Sequence, residues 1–154
     1  MPKPSPPRLL SSDVWMLAAI HLATNAGSKP VPLTHILKAA DLLNHATPDY
    51  EELRGGLARL DRAGWIVRSP GELTFRCSAA ALARFRAIDP PRRTLYDQWK
   101  ALEVALDAVP WAPNQTAPAV EPDDGYAALT REVHTAALDE YCKHASRGRR
   151  RSRG

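Results

Sequence analysis

Arginine is the residue whose type and spacing could do chemistry in this chain. Arg54, Arg59 and Arg62 follow one another at spacings of five and three, Arg68 and Arg76 come shortly after, and Arg149, Arg150 and Arg151 belong to a cluster of five that closes the sequence. A guanidinium is a planar fork of donors, and it suits a phosphate oxygen or the edge of a guanine. Just ahead of the first trio stand Asp49, Glu51 and Glu52, which either support the N-terminus of a helix or accept from cytosine N4. The histidines, at 21, 35, 45, 134 and 144, are scattered, and Cys142-Lys143-His144 does not have a zinc spacing. No phosphate-binding glycine loop, dinucleotide fingerprint or G-x-S-x-G elbow is present in the sequence. An enzyme is therefore not expected, nor catalytic residues, a cofactor or a metal.

The balance of charge qualifies the arginine signal. The formal net charge is +4, but the first ten residues carry two positive charges and residues 146–154 carry five, so residues 11–145 bear a net −3. A high pI here is a property of the two ends and not evidence of a basic folded face. Two cysteines, Cys77 and Cys142, cannot make a disulfide framework and fit a reducing compartment. The proline-rich start has no apolar signal region behind it, and the run 14–22 is too short to cross a bilayer and contains His21. A cytoplasmic protein without a membrane segment is expected.

The arginines must be held by elements that the pattern of apolar residues defines. Residues 1–10 read as a disordered Pro-rich arm. Ser11, Ser12 and Asp13 offer N-caps for a helix of about four turns with Val14, Trp15, Leu17, Ala18 and Leu22 on its apolar side, closing at Gly27. Pro30 and Pro32 bracket an extended link. A second helix carries Leu33, Ile36, Leu37, Ala40 and Leu43 on one face, and a third, capped at Thr47 with Pro48 at its first position, carries Tyr50, Leu53, Leu57 and Leu60. On this third helix Glu51, Gly55, Ala58 and Arg62 fall opposite Leu53, with Arg54 and Arg59 on the flanks. Gly55 reads as outward-facing and Gly56 as a close approach to the second helix. Strands over 65–68 and 73–76 flank the turn Ser69-Pro70-Gly71-Glu72, and Ser78 caps a fourth helix. Thr94 caps a packing or dimerisation helix over 94–109 with Leu95, Trp99, Leu102, Ala105 and Leu106 on its apolar face. Four prolines make 110–122 a linker, 123–145 a last helix with Tyr126, Leu129, Val133, Ala137 and Tyr141 in its stripe, and 146–154 a disordered Arg-rich tail.

The run YEELRGGLARLDRAGWIV at 50–67, with its Leu-x-x-Leu spacing into Gly64 and a hydrophobic pair, resembles the recognition helix and wing of the MarR, PadR and ArsR type of regulators. The resemblance covers about half the chain, residues 11–88, and implies a mainly α fold. That fold is a winged helix-turn-helix, three helices plus a β-hairpin wing, here with additional C-terminal helices. It also implies DNA as a partner and a small transcriptional regulator as the function, read by Arg54, Arg59, Arg62, Arg68 and Arg76, with Arg149, Arg150 and Arg151 adding phosphate contacts. The other reading is a winged helix used as a protein-protein interaction module without sequence-specific DNA binding, its acidic third-helix start touching a protein. A homodimer through the C-terminal helices, with Trp99, Leu102, Tyr126 and Val133 at the contact, belongs to the first reading.

Overall fold

The computed structural model describes residues 8–27, 29–88, 94–110 and 125–151, with side chains as far as Ala145. Among these residues the fold is mainly α, with six helices and a small antiparallel sheet. The helices are α1 (Ser11–Ala23), α2 (Leu33–Asn44), α3 (Tyr50–Arg62), α4 (Ala79–Ile88), α5 (Leu95–Ala105) and α6 (Arg131–Arg151). The strands are β1 (Val31–Pro32), β2 (Ile66–Arg68) and β3 (Thr74–Cys77). None of the described helices is long and apolar enough to cross a membrane.

The core is built around α1. Its residues from Val14 to Ile20 are buried without interruption, as expected for a helix that is apolar all round. Helices α2 and α3 cover it on one side, α5 and β3 on others. Leu33, Ile36, Leu37, Ala40 and Leu43 of α2 and Leu53, Leu57 and Leu60 of α3 all reach this core, as their spacing predicts. The Trp15 indole donates to the Ala40 carbonyl at 3.1 Å and ties α1 to α2.

Several element ends differ from the expectation, each for a local reason. Ser11 to Asp13 lie inside α1: Leu10 is the capping position, and the Asp13 carboxylate reaches back to accept from the Leu10 N–H at 2.9 Å. The helix closes through left-handed Asn25 and Ala26, not Gly27. Helix α3 is capped by Asp49, whose side chain accepts from the Glu52 N–H at 2.8 Å while Glu52 accepts from the Asp49 N–H at 3.2 Å. That reciprocal box outcompetes Thr47, two residues upstream. The proline-bracketed link is a strand: Val31 pairs with Phe75 and Pro32 with Thr74, so β1 is an edge of the sheet order β1-β3-β2. Proline is tolerated there because an edge strand leaves one row of donors unpaired.

Segments near both ends of the described chain also enter the fold. Leu9 is buried, and Leu10 forms a parallel bridge with Val109 after α5, so the arm is part of the body from Leu9 onward. Thr94 and Ser78 cap α5 and α4 as expected. Leu95 of α5, though, is exposed along with Tyr96 and Val104. The last helix begins at Arg131 with Thr130 as its cap, so Tyr126 and Leu129 precede it in irregular chain, and it continues to Arg151 through part of the expected tail. The linker 111–122 and the helix-start acids Asp123 and Asp124 lie outside the described residues.

Candidate functional site

At 100° per residue the sides of α3 can be taken in turn. Leu53, Gly56, Leu57 and Leu60 face the core. Glu52 and Arg59 turn toward the start of α1, while Tyr50, Arg54 and Asp61 turn the other way. Glu51, Ala58 and Arg62 point outward, and of these Arg62 is exposed.

The α1 side is closed by an ion pair. Arg59 donates to Asp13 through Nε at 2.7 Å and through a terminal nitrogen at 2.8 Å, and Asp13 has no exposed surface. With the Leu10 N–H, the carboxylate receives three donors, the satisfaction a buried charge requires. The glycine pair is the space for this contact. A Cβ on Gly55 would lie 3.0 Å from the Arg59 guanidinium, and one on Gly56 would lie 3.2 Å from Asp13 and 3.4 Å from Met16. Gly55 is thus buried under Arg59 and not outward-facing, and Gly56 approaches α1 and not α2. The chain keeps two poor helix formers so that a charged fork can lie flat between two helices.

The opposite side is covered by the segment that leads into α6. Tyr126 is 1% exposed, donates its hydroxyl to Asp61 at 2.8 Å, and stacks against Phe75 of β3 at 6.2 Å. Arg68 of β2 lies 4.8 Å over the Tyr126 ring and donates to the carbonyls of Gly125 at 2.7 Å and Glu72 at 3.0 Å. Further along, Leu129 is fully buried and its carbonyl accepts from the Tyr50 hydroxyl at 3.0 Å; that hydroxyl in turn accepts from Arg54 at 2.8 Å. Arg131 pairs with Glu51 and lies 4.5 Å over the Tyr50 ring, and its hydrogen bond holds the Glu51 carboxyl below the ordinary range. His134 is buried with Nε2 3.1 Å from the Pro48 carbonyl, and Tyr141 donates to Asp41 of α2 at 2.5 Å. Residues 125–141 therefore run from the β2–β3 hairpin along α3 and onto α2.

The arginines singled out from sequence whose side chains are described point to different sides of the fold. Arg54, Arg59 and Arg68 are joined to partners within the fold. Arg62 is exposed at the last turn of α3, and Arg76 on β3 is half-buried with a long 3.5 Å contact to the Cys77 carbonyl. Arg149, Arg150 and Arg151 lie on the end of α6, where only the backbone is described. Trp99, Leu102 and Tyr126, expected at a dimer contact, are buried within the single chain at 5%, 0% and 1% exposure. Among the described residues no group of three or more His, Cys, Asp or Glu could hold a metal ion. Sequence reading missed Asp13 as an ion-pair partner. Its signal was a charged residue at the head of an otherwise unbroken apolar helix. It also missed the contacts of 125–131, whose Tyr126 and Leu129 read as the stripe of a last helix, whereas the helix begins only at Arg131. Compared with known proteins, the chain matches no family model, no curated protein and no solved structure.

Proposed function

We propose that residues 9–88 are a winged helix-turn-helix, with α3 in the place of the recognition helix and the β2–β3 hairpin as its wing, and that the domain works as a protein-interaction module. The helix order and the antiparallel hairpin support the fold reading. The observation that carries the functional reading is the groove between α3 and the hairpin. It receives a peptide segment through deeply set anchors, Tyr126 and Leu129, followed by a helix bearing His134. An aromatic and an aliphatic anchor leading into a helix is how protein grooves take peptides. Here the segment belongs to the same chain, and the outward side of α3 carries Glu51 near its start and Arg62 at its end.

The reading as a DNA-binding transcriptional regulator draws on a different observation. Helix α6 continues to Arg151 and so carries part of the arginine cluster on one rigid element. Exposed Arg62 and half-buried Arg76 would be its contacts on the folded body. Fluorescence anisotropy of the full chain on DNA duplexes, measured against salt, separates the two. The module reading expects binding without sequence preference that is unchanged by Arg62→Ala or Arg76→Ala and lost when Arg149, Arg150 and Arg151 become alanine. Sequence-preferring binding that weakens on Arg62→Ala overturns it and establishes the regulator reading.

A further inference from the structure

We propose that the cavity enclosed by the start of α1, the end of α2, the first turn of α3 and the face of α5 binds a small planar aromatic molecule that carries a hydrogen-bond acceptor. The cavity measures about 260 Å³ and is lined by Ser12, Trp15, Glu52, Tyr96, Trp99 and Lys100 among others. That lies just under the size range of small-molecule pockets, and it suits one ring or two fused rings.

Its walls are aromatic and mutually fixed. Trp15 and Trp99 lie 6.2 Å apart with planes at 31°, and Tyr96 meets Trp99 edge-on at 5.5 Å. Of these rings Tyr96 is half exposed and offers its face to another flat ring by stacking. The two indoles differ in one respect. The Trp15 N–H donates to the Ala40 carbonyl, whereas Trp99 is 5% exposed and its N–H has no hydrogen-bond partner among the described residues. An unpaired buried donor is rare in a folded protein.

Charge selects the ligand further. The Lys100 ammonium lies 4.1 Å from the Trp99 ring centre and 5.5 Å from that of Tyr96. The ring faces are thus already supplied with a cation, which disfavours a cationic ligand. Lys100 holds Glu103 only loosely, at 3.3 and 3.5 Å, so it retains capacity for an anionic or carbonyl oxygen. Glu52, the acid that lines the cavity, has its pKa raised by burial, and its carboxylate accepts from the Asp49 N–H. The site is separate from the hairpin side of α3, so it stands whichever macromolecule that face meets.

The test titrates the full chain with 2-naphthoate, and with cyclohexanecarboxylate as a control that has the carboxylate but no flat ring. The indole N–H of Trp99 is followed by NMR and assigned through Trp99→Phe. Saturable movement of that resonance by naphthoate alone is expected, with binding roughly tenfold weaker in Lys100→Met and in Tyr96→Ala. Both side chains reach the surface, so these variants keep the fold, and thermal denaturation verifies it. A Trp99 resonance unmoved at millimolar naphthoate overturns the proposal, and so does binding that neither variant weakens.

Discussion

Asp13 shows how one residue can require several others. A carboxylate without exposed surface needs donors, and it takes them from Arg59 and from the Leu10 N–H. Removing the cation alone leaves the anion buried and uncompensated. Arg59→Met is therefore expected to lower the stability by about 3–5 kcal/mol, read from urea unfolding. The double variant Asp13→Leu with Arg59→Met is expected to recover most of that loss. His21 stacks on Phe85 at 3.8 Å, and burial lowers its pKa from 6.5. Above that value both folded and unfolded chains hold the ring neutral; below it the unfolded chain takes up a proton that the folded chain resists. Stability is thus expected to fall as pH drops from about 7 toward 5.5, with a shallower fall in His21→Phe measured by the same unfolding curves. Cys77 is buried and its pKa is pushed up to about 12, whereas Cys142 is exposed. A thiol reagent under native conditions is expected to modify Cys142 alone, and mass spectrometry of the labelled peptides checks this.

Among elements, α3 is the one whose start depends on a few atoms. The box between Asp49 and Glu52 satisfies two of the orphan donors that open the helix. Asp49→Ala is expected to cost about 1 kcal/mol, and Thr47→Ala close to nothing, in thermal or urea unfolding. Sequence reading placed the cap at Thr47 because Thr-Pro is a strong start signal. Asp-x-x-Glu is an equally good one two residues on, and the choice between them is made by where α3 meets α1. The leucine stripes of α2 and α3 were legible because burial repeats with the helical period. The strand β1 was not, since two residues that end on a proline have no period, and only pairing with Phe75 and Thr74 makes them a strand.

For the whole molecule, the question is what residues 125–141 cover. Tyr126 and Leu129 are inside the single chain, so Tyr126→Ala is expected to lower the melting temperature without changing the mass seen by light scattering. A change in mass would place these residues at a contact between copies. If the five arginines at the end of the chain each meet a phosphate, the salt dependence of DNA binding is expected to have a slope of roughly −4 to −5.

The sequence by itself determined the mainly α composition, the order of helices and hairpin, the leucine faces of α2 and α3, and the caps at Ser78 and Thr94. These follow from local propensity and from periodicity, which act over neighbouring residues. Only the tertiary structure decided the candidate site. Whether Arg59 faces solvent or Asp13 is a matter of 46 residues of separation, and whether Arg68 is open or bound to Gly125 is a matter of 57. An arginine's own side chain is long and adaptable, so its sequence neighbours fix its position on a helix but not its partner. The partner is set by which elements the core brings together.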